Sequence, residues 1–126
     1  MVGLALCLHL DFHGVKSVLI ESESRTRWSP KGNTNNARTM ETFRRLGIAD
    51  SVRELGLPDG HPFDVAFFTR LSAFEIARGR TPSKKERLAL RAVAAPTDQV
   101  SEPPHRANQM YLDRLLLDRA RTRPNI

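Results

Sequence analysis

The first 21 residues constrain the fold more than any other stretch of the chain. Gly3-Leu4-Ala5-Leu6-Cys7-Leu8-His9-Leu10-Asp11-Phe12 is rich in Leu and Ala, side chains that lose little on entering a helix, and it reads as a mostly buried helix. His13-Gly14 ends that helix, with Gly14 free to take the left-handed conformation after a helix end. Val15-Lys16-Ser17-Val18-Leu19-Ile20-Glu21 follows at once. Its Val, Leu and Ile predict a buried strand of a parallel sheet.

Helix, glycine, strand and acid in that order describe the second half of a βαβ nucleotide unit. In a complete unit a first strand runs into G-x-G-x-x-G at the start of the helix. The third glycine lets helix and strand pack closely, and an acid at the end of the second strand accepts hydrogen bonds from ribose hydroxyls. Gly3 fits the third glycine and Glu21 the acid, 18 residues on, against the ~20 expected. Spacing alone leaves open that Gly3 is an ordinary N-terminal glycine and Glu21 a solvated strand-end acid.

The remainder organises itself around turn residues. Ser22 to Asn36 is polar, contains Pro30 and Gly32, and reads as a long loop. Ala37, Met40, Phe43 and Leu46 repeat along one side of a helix that Gly47 closes. Asp50 is placed to cap a short helix through Leu55, ended by Gly56. Val65–Leu71 and Phe74–Ala77 suggest a hairpin about Ser72-Ala73. Thr81–Ala95 has helical composition, with Ser83 and Glu86 at capping-box spacing. A Pro-containing linker, Pro96–Pro104, leads to a last helix, Gln109–Arg121. Asn108 caps it and Leu112, Leu115, Leu116 and Ala120 share one face.

At 126 residues the chain has room for one domain, divided here as a nucleotide part over 1–60, a hairpin over 61–80, and helices with a linker over 81–126. No apolar run approaches the ~20 residues needed to span a bilayer. A single cysteine, Cys7, excludes an internal disulfide and a Cys-rich zinc site, and it reads as a small buried apolar residue. A cytoplasmic location is the default for such cysteine usage. His9, His13, His61 and His105 lack metal-ligand spacing. His105 reads as a loop histidine, with proximity to a cofactor as the alternative. Trp28 reads as packing under the long loop rather than over a nucleotide. The formal charge of +6 raises nucleic acid as a partner. Yet acids are interleaved with the arginines and aromatics are only 6% of residues, too few for a base-stacking surface.

Several ordered segments resemble the flavin-dependent aromatic hydroxylases, the class A single-component flavoprotein monooxygenases that include the phenol, chlorophenol and 4-hydroxybenzoate hydroxylases. They are Val2–Leu6, His13–Glu21, Ser29–Glu41, Phe43–Ile48, Phe67–Leu71 and Pro104–Gln109. Thr81–Thr97 is the least diagnostic stretch. The resemblance implies an α/β fold: a partial Rossmann-like FAD-binding domain without its first strand, plus a β-hairpin from the substrate-side sheet. It implies FAD as cofactor, NAD(P)H as reductant and a small aromatic substrate hydroxylated with O2. Residue by residue, it aligns Gly3 with the third fingerprint glycine and Glu21 with the adenosine-ribose ligand. It places Lys31 and Arg38 beside the pyrophosphate, where a cation offsets charge, and Gln109 at the head of a helix on the flavin side. It assigns no catalytic residue to this stretch.

The same resemblance puts the first strand and two glycines before Met1, and a second FAD signature with most of the substrate domain beyond Ile126. The isolated chain is then expected to bind FAD weakly or not at all and to show no hydroxylase turnover. The rival expectation is a non-enzymatic basic module of flavoprotein descent, which would bind nucleic acid or a protein partner with steep salt dependence.

Overall fold

The structure, a computed structural model, describes residues 1–23, 29, 31–93 and 102–126. It divides into two compact units, Met1–Leu57 with Val100–Ile126, and Pro58–Gln99. The architecture is mixed α/β, with five helices and two two-stranded sheets among the described residues.

The first unit is built on four helices. Helix α1, Val2–Phe12, is followed by Gly14 at φ 72°. Helix α2, Ala37–Arg45, begins at Asn36, whose side chain accepts the backbone N–H of Thr39 at 2.8 Å, and Gly47 at φ 70° turns the chain away. Both glycines occupy the left-handed region that costs other residues a Cβ clash. Helix α3, Ala49–Glu54, starts one residue before Asp50, so Asp50 lies in the first turn and Ile48 holds the cap position without a side-chain bond. Helix α5, Gln109–Ala120, opens at Asn108, whose side chain accepts the N–H of Met110. The core joins Leu8 of α1, Met40 and Phe43 of α2, Ile48, Ala49 and Val52 at α3, Ala107, and Leu112, Leu116 and Ala120 of α5. These are the apolar positions repeated at helical spacing in α2 and α5.

Two short strands lie where the sequence predicts loop and linker. β1, Thr34–Asn35, pairs antiparallel with β4, His105–Arg106, in the register Thr34↔Arg106 and Asn35↔His105. A single bridge joins Gly56 to Ala107. Two residues of polar sequence carry no alternation to read, so nothing local announces either strand.

Residues 15–20 correct the expected buried strand. They are extended but join no ladder, and Val18 and Ile20 are 85% and 89% exposed. A strand is defined by its neighbours, and none pairs with this one among the described residues. Val15 N–H reaches back to the Leu10 carbonyl, Ser17 N–H donates to the Asn125 carbonyl, and Asn125 in turn donates to Asp11 at the end of α1. Helix α1 is also less enclosed than its composition suggests: Cys7 and Leu8 are buried, while Leu6 and Phe12 are exposed.

The second unit holds β2, Val65–Phe68, antiparallel to β3, Glu75–Gly79, with a bulge at Phe67/Phe68 and a loop over 69–74. The second strand starts one residue later and runs two residues further than the sequence suggests. Helix α4, Lys84–Val93, is opened by a complete capping box. Ser83 Oγ accepts the Glu86 N–H, and Glu86 accepts both the Ser83 N–H at 2.7 Å and its hydroxyl at 2.6 Å. Residues 94–101 of the expected helix end and linker, and Trp28 and Pro30, lie outside the described residues. No helix among the described residues is long and apolar enough to cross a membrane.

Candidate cofactor-binding site

Gly3 lies against the extended segment: a Cβ built on it would lie 2.9 Å from Leu19 Cδ1, tighter than ordinary van der Waals contact, so a side chain here would displace the end of Leu19. Leu19 is two residues before Glu21, and the Met1 amino group is among the charges that act on the Glu21 carboxylate.

That end carries donors. The first four N–H groups of a helix lack intrahelical acceptors, and the first backbone bond of α1 is from Ala5 N–H to Met1 C=O. No acid of α1 itself sits in its first turn; the carboxylate at this end is Asp113 of α5. The Met1 amino group lies 3.2 Å from Asp113 Oδ1, and Asp113 Oδ2 accepts a bond from the Gln109 side chain at 3.3 Å. The Gln109 N–H donates to the Gly32 carbonyl at 3.0 Å. The structure therefore gathers the start of α1, the start of α5 and the loop at Lys31-Gly32 into one chain of contacts.

The other expected residues stand differently. Glu21 is exposed, and its carboxylate accepts the Glu23 N–H at 3.2 Å and the Ser22 hydroxyl at 3.3 Å. These bonds, the Glu23 N–H first, hold it below the usual carboxylate range, so it is ionised and accepting at neutral pH. Lys31 is exposed on the loop beside Gly32. Arg38 sits in the first turn of α2 and pairs with Glu41 at 3.0 Å rather than with any of the groups above. His105 is buried in β4 rather than placed in a loop. Asp113 and Gly32 were not anticipated. The only signal for Asp113 is its position four residues after Gln109, one turn along the same helix face.

The basic residues are drawn into ion pairs across the described chain. Arg53 and Arg44 meet Glu102, Arg78 meets Asp64 and Glu75, Lys84 meets Asp59, Arg114 meets Asp118 and Arg123 meets Asp11. An open groove in the second unit runs along Pro62, Arg80, Leu90 and Val93. Its carboxylates are already engaged, Asp64 by Thr81 N–H and Arg78, Glu86 by Ser83. No group of three or more His, Cys, Asp or Glu able to hold a metal occurs among the described residues.

The donor set suits a dinucleotide: an open helix N-terminus for phosphate, a nearby ionised carboxylate for a diol, and an amide side chain that both donates and accepts. Comparison with known proteins agrees. The chain belongs to the FAD binding domain family, which it matches over residues 1–126, among the class A FAD-dependent monooxygenases and hydroxylases. It is 40% identical over 72 residues to the FAD-dependent monooxygenase apdD of Emericella nidulans, covering 57% of this chain and 12% of that protein. It is 27% identical over 100 residues to a phenol 2-monooxygenase of Pseudomonas sp., covering 76% of this chain and 16% of that one. A structure of the rebeccamycin biosynthetic enzyme RebC with reduced flavin superposes with a TM-score of 0.81 at 31% identity, over 97% of this chain and 22% of that one. The chain thus spans less than a quarter of each of these proteins.

Proposed function

We propose that this chain is the nucleotide-binding segment of an NAD(P)H-dependent flavoprotein monooxygenase that hydroxylates phenolic or other aromatic substrates. The observation that supports the reading is the close approach of Leu19, two residues before Glu21, to Gly3 in the first turn of α1. The fold is read as the second half of a Rossmann-like unit on the same ground, with the exposed hairpin as part of a substrate-side sheet. The phosphates of FAD would lie against the first turn of α1, the ribose diol against Glu21, and Gln109 toward the flavin side. Lys31 and Arg38 would offset pyrophosphate charge, Arg38 by leaving Glu41. When bound, FAD supplies the redox and oxygen chemistry. The work of these residues is to bind and orient it.

The ribose contact is tested by titrating the chain with ADP and with 2′-deoxy-ADP while following backbone amide resonances. Wild type should prefer ADP, and Glu21→Gln should lose most of that preference while keeping its fold. Equal affinity for the two nucleotides in wild type would contradict the role given to Glu21.

A further inference from the structure

We infer that Arg53 is a positioning residue for the cofactor site, acting at a distance through the 102–109 segment; this rests on the reading of Gln109 and the Gly32 loop given above. Among the described residues, the segment that delivers Gln109 is paired in the two-residue ladder of β4 with β1, short of what fixes a register in isolation. Yet Gln109 must arrive with its N–H on the Gly32 carbonyl.

Arg53 supplies the missing restraint. Its side chain is 9% exposed, and its Nη2 donates to Glu102 Oε2 at 2.6 Å and to the Pro103 carbonyl at 3.1 Å. This two-bond fork, both bonds donated by the one nitrogen Nη2, joins a side chain and the adjacent backbone. Arg44 approaches the other carboxylate oxygen at 3.8 Å. Three residues after Arg53, Gly56 bridges Ala107, and a Cβ there would strike the His105 ring and the Arg106 carbonyl. The segment is therefore clamped at 102–103 by Arg53, pressed at 105–107 by Gly56, paired at 105–106 with Asn35 and Thr34, and released at Gln109 onto Gly32. None of these α3 groups belongs to the proposed cofactor contacts. Their effect reaches the site only through the placement of Gln109.

The Gln109 N–H reports that placement directly. It is at the first position of α5, where no intrahelical acceptor exists, so the Gly32 carbonyl is its protection from solvent exchange. Amide hydrogen exchange of the full chain without ligand is to be compared for wild type, Arg53→Lys, Glu102→Gln and Arg53→Met. Loss of the fork should speed exchange at Gln109 by about tenfold, the scale of one charge-assisted hydrogen bond. Met40 and Leu116, inside α2 and α5, should change less than about twofold in the Lys and Gln variants, because core packing there is untouched. If Arg53→Met fails to fold, the two conservative variants decide the matter. Unchanged exchange at Gln109, or an equal rise at Met40 and Leu116, overturns the inference. Equal affinity of wild type for ADP and 2′-deoxy-ADP would overturn the cofactor reading and leave the exchange result standing, so the two failures are distinguishable.

Discussion

Three glycines make different demands on their neighbours, and substitution separates them. At Gly56 an added methyl meets a buried imidazole and a backbone carbonyl, neither of which can swing away. Gly56→Ala should therefore destabilise the first unit by about 2–3 kcal/mol, as overpacking does, measured by urea unfolding. At Gly3 the obstacle is the far end of Leu19, a flexible side chain. The gain of about 0.5–1 kcal/mol from replacing a helical glycine by alanine offsets most of the cost of moving it. Gly3→Ala should leave the unfolding midpoint nearly unchanged while weakening ADP binding, because the displaced segment carries Glu21. At Gly14 the obstacle is conformational, φ 72° with open space around it. Gly14 and Gly47 were legible from the sequence because helix stops are local. The Gly56 contact was not, since it depends on a histidine 49 residues away.

At the scale of elements, helical repeats, the caps at Ser83 and Asn108 and the β2–β3 hairpin were readable, whereas the cap expected at Asp50 and the β1–β4 pair were not. Ser83 and Asn108 sit at the helix starts the sequence marks, because a cap is satisfied within three residues. The capping box of α4 also has a pH signature. Hydrogen bonds from the Ser83 hydroxyl and N–H hold the Glu86 carboxyl below its ordinary value. A depressed carboxyl contributes stability above its unfolded value and loses it as pH falls through the folded one. The helicity of α4 should therefore be constant at neutral pH and decline below the ordinary glutamate range. Glu86→Gln should remove that acid-limb dependence, followed by the amide shifts of 84–88. Ser83→Ala should cost about 1 kcal/mol at neutral pH, the usual value of a lost cap. Strands depend on distant partners, which explains both the missed pair β1–β4 and the apolar run at 15–20, whose composition promises burial the described residues do not supply. Val18→Ser and Ile20→Ser should each change stability by less than about 0.5 kcal/mol, as exposed positions do, whereas Met40→Ala should cost about 2–5 kcal/mol.

For the whole molecule, the two units differ in what holds them. The first has a contiguous core from four helices. In the second, Ser83 is the buried residue among those described, and Phe67, Phe68, Leu71, Phe74 and Ile76 all lie open to solvent. A two-stranded ribbon without a covered face is marginal in water. Amides of β2 and β3 should therefore exchange well before those of α2 and α5. Coincident exchange of the two units would mean that the second has a core these residues do not show. Composition was a poor guide at this scale. A formal charge of +6 suggested a polyanion partner, yet many arginines are spent on carboxylates within their own unit.

The central claim, that the start of α1, the end of the extended segment and the start of α5 form one nucleotide site, is tested most directly by titrating the chain with FAD to millimolar concentration. Backbone amide resonances of the full chain are the readout. The account predicts saturable shifts at Gly3, Gly32 and Gln109, reduced in Glu21→Gln, with β2 and β3 silent. Shifts confined to the hairpin, or none at Gly3 and Gln109, would contradict it.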